Sequence, residues 1–168
     1  LDISFLYTSK INIRKRNEFV GIYGVGGIGI MSIIALRSLG IKNIYAVDKN
    51  KKNLIIAKKF GCKKIYLLNT LKNKNINLKI DKKLIKYNIE ISGNKHMMEM
   101  AINSLSTKGL CILTGNIKFG NKIKFNPYEL IFGKQIYGFS GNNVSLEKNI
   151  KRYSTIVQKL NFTKLRKI

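Results

Sequence analysis

A short apolar run, Val20-Gly21-Ile22-Tyr23, leads directly into a knot of glycines, Gly24-Val25-Gly26-Gly27-Ile28-Gly29. Nineteen residues beyond Gly29, a second apolar run, Ile44-Tyr45-Ala46-Val47, ends in Asp48. This order constrains the fold more than any other feature of the chain. It suits a strand, a tight turn, a helix from Ile28 to Leu39 and a second strand capped by an acid. Binding a dinucleotide needs that arrangement. Gly24 would turn the chain sharply off the strand. Gly26, with no side chain, would let the backbone approach a pyrophosphate. Gly29 would let the helix lie close to the strand. The helix N-terminus that follows Gly27, at Ile28, offers unpaired N–H groups and a partial positive charge. Asp48 would accept hydrogen bonds from the adenosine ribose hydroxyls.

A membrane span is the competing reading, because residues 19–36 carry no charge. That length is at the lower edge of what crosses a bilayer, and glycines at four-residue spacing can mark packed membrane helices. Yet Gly21, Gly24, Gly26, Gly27 and Gly29 crowd one half of the segment, and each costs about 1 kcal/mol in a helix relative to Ala. The strand–turn–helix reading uses these glycines, whereas a span only tolerates them. No secretory pattern opens the chain, where Asp2 comes early. Cys62 and Cys111 lie beside apolar runs without a partner motif, so both are expected as buried thiols outside an oxidising compartment. The expectation is a cytoplasmic protein with no membrane association.

With 168 residues, the chain is expected to form one domain with a real core, and its hydrophobic fraction of 45% is that of a globular protein. Thirty-two Lys and Arg against eight Asp and Glu give a formal charge of +24, which ordinarily points to nucleic acid or another anionic surface. Two features weigh against that. Arginine, the best bidentate reader of phosphate and guanine, occurs only at positions 14, 16, 37, 152 and 166. The lysines are spread along the whole chain in a background of Ile and Asn, as A/T-rich codons would produce. Weak, salt-sensitive sticking to polyanions is expected, and no specific nucleic-acid function.

The remaining pattern continues the opening one. Residues 1–10 read as part of a helix and 11–18 as a charged connector. A first strand spans 19–23, a second 43–47, a helix 51–60 and a third strand 64–68. Residues 69–86 read as a polar loop with one short helix around 78–85. A fourth strand is expected at 88–92, a helix at 95–105, a fifth strand at 110–114, a helical turn from Pro127 to Phe132, a sixth strand at 135–139 and a last helix over 145–160. Alternating strands and helices of this kind make an α/β, doubly wound, Rossmann-type parallel sheet of six strands with helices on both faces.

The order of these pieces resembles the cofactor-binding domain of the medium-chain, zinc-type alcohol dehydrogenases and their relatives. The resemblance is carried by Gly24 to Gly29, Ser38-Leu39-Gly40, Ala46-Val47-Asp48 and Ala57-Lys58-Lys59-Phe60-Gly61. It continues through Ile91-Ser92-Gly93, Ser104-Leu105 to Gly109, Leu113-Thr114-Gly115, and Leu130 to Lys134 with Ile136-Tyr137-Gly138. It covers nearly all of residues 1–160. It implies NAD or NADP bound across the switch point of a six-stranded sheet. Gly24, Gly26, Gly27, Ile28 and Gly29 would then face the pyrophosphate, and Asp48 the adenosine ribose. Ser92, Gly93, Thr114, Gly115 and Asn116 would line the crevice near the nicotinamide. An acid at position 48 favours NAD over NADP by repelling a 2′-phosphate, although Lys49, Lys51 and Lys52 could attract one. The family often carries Lys or Arg five residues after the acid, where this chain has Asn53.

In that family a separate N-terminal domain carries the catalytic zinc ligands and the proton relay, and its pattern does not occur here. His96, the single histidine, reads as a solvated residue at a helix start. Cys62, Cys111 and His96 lack zinc-site spacing, the carboxylates are dispersed, and Ser92 and Thr114 have no base that the sequence identifies. No metal and no catalytic residue is therefore expected in these residues. The expected function is the NAD(P)-binding part of an oxidoreductase, inactive alone and completed by a missing or separately encoded catalytic domain. Two other functions fit: a stand-alone dinucleotide-binding module, and a basic polyanion-binding protein that keeps an old fold. The sixth strand, 135–139, would lie at a sheet edge and could pair with its copy in a homodimer.

Overall fold

The computed structural model describes residues 17–68, 78–139 and Ser154. The helix expected over 1–10 and most of the connector after it lie outside these residues. So does the helix expected over 145–160, apart from Ser154, which is helical.

The chain alternates β1 (Phe19–Tyr23), α1 (Gly27–Ser38), β2 (Ile44–Asp48), α2 (Lys51–Lys59) and β3 (Lys64–Leu67). A single 3-10 turn (Lys82–Leu84) precedes β4 (Ile85–Glu90), followed by α3 (Lys95–Asn103), β5 (Leu110–Leu113), the one-turn α4 (Tyr128–Ile131) and β6 (Gln135–Gly138). All neighbouring strands run parallel, in the order β3-β2-β1-β4-β5-β6. The order reverses direction between β1 and β4, which opens a crevice at the carboxyl ends of those strands.

Every residue of β1 and β2 is buried, because helices cover both faces of a parallel sheet. Val20, Ile22, Ile44, Ala46 and Ile112 pack beneath Ile33 and Leu36 of α1 and Leu54 and Ala57 of α2. Fully burying a side chain of this size contributes about 2 kcal/mol. α1 and α2 close with the same motif. The N–H groups of Gly40 and Ile41 return to the carbonyls of Arg37 and Leu36, and those of Gly61 and Cys62 to Lys58 and Ala57.

The other face carries α3 over Tyr23, Tyr45, Val47 and Cys111. There the packing is partly polar. Tyr45 Oη donates to Asn88 Oδ1 at 2.7 Å, and Asn88 Nδ2 donates to the Ala101 carbonyl at 2.6 Å and to Ser104 Oγ at 2.9 Å. Tyr23 Oη lies 2.7 Å from Ser104 Oγ and 3.1 Å from Tyr45 Oη. Gly21 makes the space: a Cβ there would fall 2.3 Å from Asn88 Oδ1.

Two expectations are corrected. The fourth strand begins at Ile85, three residues before the expected start, and ends at Glu90 instead of Ser92. Its alternating Lys86, Asn88 and Glu90 hid it among polar residues. Asn88 and Glu90 are nonetheless buried, because other side chains and backbone N–H groups bond to them. Ile91 N–H makes one more ladder bond to the Tyr23 carbonyl, after which Ser92 N–H turns to the Glu90 carboxylate. The short helix expected around 78–85 is only the 3-10 turn, opened by Asp81 accepting the Lys83 N–H at 2.9 Å. No helix among the described residues is long and apolar enough to cross a membrane.

Candidate functional site

The glycine loop sits where β1 ends beside β4. Gly24 takes a φ of +92°, which an L side chain rarely adopts, and its N–H bonds to the Val47 carbonyl at the end of β2. Gly29 in α1 packs on Gly24 so closely that a Cβ would lie 2.1 Å from the Gly24 oxygen. By contrast, a Cβ on Gly26 or Gly27 would meet nothing within 4 Å. The backbone is pressed together below and open above.

The open side has a distinct electrostatic character. α2 and α3 are capped by Asn50 and Asn94, whose side chains accept the N–H groups of Lys52 and Met97. α1 starts at Gly26 with no side-chain cap and no acid in its first turn. Its first-turn N–H groups have no partner within the helix, and the positive end of its dipole is uncompensated. This end faces a cavity of about 370 Å³ lined by Gly24, Gly26, Gly27, Ile28, Gly29, Asp48 and Ser92.

Asp48, 6% exposed, closes the cavity on the β2 side. Its Oδ2 accepts the Val25 N–H and its Oδ1 the Asn50 N–H, each at 2.7 Å. Each oxygen keeps further acceptor capacity for a ligand hydroxyl. Of the three lysines after Asp48, Lys49 lines the cavity.

Gly93, Thr114, Gly115 and Asn116 form a second layer beside this cavity and do not line it. A Cβ on Gly93 would fall 2.2 Å from the Asn116 oxygen, and one on Gly115 would fall 2.2 Å from the Gly93 nitrogen, so the loops after β4 and β5 are in close contact. Glu90, fully buried, organises both. Its Oε1 accepts the Ser92 N–H at 2.8 Å and the Ser92 hydroxyl, while its backbone carbonyl accepts from Thr114 Oγ1 at 3.1 Å and from the N–H groups of Thr114 and Gly115. Its Oε2 is buried without a partner. Burial pushes the Glu90 carboxyl above its ordinary value, with the bonds from Ser92 pulling the other way.

Asn53, singled out in the sequence, lines the crevice, as do four residues that sequence reasoning did not assign to it: Asn50, Ile91, Asn94 and Met97. The two capping asparagines had a usable signal, an Asn immediately before a helical pattern. Met97 is buried and also forms part of the cavity wall. Glu90 had one signal, an acid inside an apolar strand.

His96 is exposed at the start of α3, with Nδ1 3.7 Å from Glu99. Both cysteines are free and buried. Among the described residues, no three of His, Cys, Asp and Glu gather as a metal site would need.

Fold and crevice together define a Rossmann-type α/β domain with an uncapped helix start open to a cavity at its switch point. A family model described as zinc-binding dehydrogenase matches residues 27–160, and the chain belongs to that family. It is 27% identical over 130 residues to an S-(hydroxymethyl)glutathione dehydrogenase of Escherichia coli, a match that takes in 76% of this chain and 34% of that protein. The chain thus spans about a third of the length of the curated relatives it matches. Among solved structures it resembles a 2R,3R-butanediol dehydrogenase from Bacillus subtilis, with a TM-score of 0.72 at 19% identity, covering 95% of this chain and 44% of that one. It also resembles an acetophenone reductase from Geotrichum candidum in complex with NAD, with a TM-score of 0.64 at 19% identity, covering 91% and 40%.

Proposed function

We propose that this chain is the part of a zinc-type dehydrogenase that binds NAD(P) and holds its nicotinamide for reaction. The observation that carries this reading is the uncapped, open start of α1 set opposite the Asp48 carboxylate across one cavity. The residues fit the cofactor. The open backbone at Gly26 and Gly27, with the first-turn N–H groups of α1, suits a pyrophosphate. Asp48, already fixed by two backbone N–H groups, suits a ribose diol. Ser92 and Gly93, with Thr114, Gly115 and Asn116 behind them, lie at the far side, where the nicotinamide end would reach. The bound cofactor would supply hydride exchange with a substrate. What these residues do is bind it, orient it and fix its ribose.

NAD is favoured over NADP. A carboxylate at the ribose repels a 2′-phosphate, and only Lys49 of the nearby lysines lines the cavity. Zinc ligands and a proton relay would come from protein outside these 168 residues. β6 lies at the sheet edge, and we assign it the pairing surface of a homodimer. Sedimentation at micromolar concentration should return twice the chain mass, and a monomer mass would end that assignment.

The test of the main reading is calorimetric titration with NADH, NADPH and tripolyphosphate at low and physiological salt. One-site NADH binding that survives salt, tighter than NADPH, is the expected result. Binding of any polyphosphate that vanishes with salt would overturn it.

A further inference from the structure

A second cavity, of about 710 Å³, lies apart from the crevice just described. It opens at the opposite end of the sheet, where β4, β5 and β6 begin. Its walls come from the 3-10 turn and the start of β4, the loop before β5, and α4 with the approach to β6. The volume lies within the range of small-molecule sites.

Three properties of the wall converge on one ligand chemistry. The first is charge. Among the described residues of the wall, Lys82, Lys83, Lys86 and Lys134 face two carboxylates, Asp81 and Glu129. Glu129 is held by Lys134 at 2.5 Å and by Lys82 at 3.5 Å, and Asp81 accepts the Lys83 N–H. Lys86 Nζ reaches the Thr107 carbonyl at 3.3 Å, and no salt bridge to it occurs among the described residues. The second is an apolar side made of two aromatic rings. Tyr128 and Phe132, with ring centroids 4.6 Å apart and planes inclined at 51°, are both at least half exposed on the cavity wall. One ring can stack on the face of a planar ligand while the other meets its edge. The third is an unpartnered polar group. Ser106 is 4% exposed, and its hydroxyl has no hydrogen-bond partner. A buried hydroxyl left so destabilises the fold until something bonds to it. Beside it, the buried Lys134 ammonium donates to the Ile102 carbonyl at the end of α3.

We propose that this cleft is a second binding site, taking a planar aromatic acid. The ring system lies against Tyr128 and Phe132, and the acid group meets the lysines and the Ser106 hydroxyl. The room suits two or three fused rings with one acidic group. The site is separate from the glycine crevice and stands whether or not that crevice holds a cofactor.

The test is fluorescence titration of the whole chain at physiological salt with anilinonaphthalene sulfonate, using phenylnaphthylamine as its uncharged counterpart. The sulfonate should bind one-to-one, at least tenfold tighter than the neutral probe. Phe132→Ala, and Lys83→Ala together with Lys86→Ala, should each weaken it about tenfold. Ser106→Val, which fills the inner end without removing charge, should weaken it severalfold. NADH and Gly27→Ala should leave it unchanged. Displacement by NADH, equal affinity for the neutral probe, or unchanged affinity in the Phe132 and double-lysine variants would overturn the proposal. Circular dichroism and the thermal midpoint of each variant check that it is folded. A chain that binds the sulfonate here but not NADH would sink the cofactor reading and leave this site standing.

Discussion

The backbone N–H of Val25 donates to Asp48 Oδ2 at 2.7 Å, joining the glycine loop after β1 to the end of β2. The other carboxylate oxygen takes the Asn50 N–H. One side chain therefore sets the crevice wall before any ligand arrives. Asp48→Ala should weaken NADH binding about tenfold to a hundredfold, because each hydrogen bond to a charged group is worth roughly 1.5–3 kcal/mol. It should also lower the melting temperature by several degrees, since the Val25 N–H is left buried and unpaired. Asp48→Asn keeps one acceptor and should fall between. Equal NADH affinity in wild type and Asp48→Ala would remove this residue from the site.

Two glycines separated by one residue should respond in opposite ways. Gly29→Ala drives a methyl against the Gly24 carbonyl, a backbone atom with nowhere to go. We expect a loss of about 3 kcal/mol, read by urea unfolding. Gly27→Ala meets open space and improves the helix by up to about 1 kcal/mol. Its melting point should hold or rise while NADH affinity falls, because the new methyl projects into the cavity. Parallel loss of stability in both variants would contradict the packing described.

Glu90 should give stability an unusual pH dependence. Burial raises its carboxyl above the ordinary 4.5, against the pull of the Ser92 bonds. The folded chain then keeps this proton at a pH where the unfolded chain has released it. The associated stability is complete below the unfolded value and is lost as pH rises through the folded one. Urea unfolding from about pH 4 to about pH 8 should show the difference between wild type and Glu90→Gln changing across that window, with wild type falling relative to the variant. A constant difference would mean that Glu90 does not titrate there.

The thiols should be silent. Burial pushes Cys62 up to about 12, against the nearby Lys58 and Arg37, and pushes Cys111 well above its usual range. An aromatic disulfide reagent at about pH 8 should label neither in the native chain and both in denaturant. Fast native labelling of Cys111 would contradict the closed β4–β5 packing.

The first half of the fold was legible because its signals are local. Uninterrupted apolar runs mark β1 and β2, and Gly40 and Gly61 mark where their helices stop. The start of β4 was not, since Asn88 and Glu90 look solvated until Tyr45, Ser104 and Ser92 are seen to bond to them. That Gly24 to Gly29 and Asp48 would meet around one cavity could be read from spacing alone. The contact between Gly93 and Asn116 could not, because it joins loops that follow different strands. The cleft at the other end was hidden for the same reason, its wall being assembled from residues 81–86, 105–107 and 128–134.

The two sides of the sheet are fastened by different means. On the α1 and α2 side the fit is by shape between apolar side chains. On the α3 side, Tyr23, Tyr45, Asn88 and Ser104 lock together over the empty place at Gly21, and directional bonds fix one angle and one height for the helix. Asn94 and Met97, at the head of that helix, thus bring to the crevice a wall whose position is set by hydrogen bonds on the far side of the sheet.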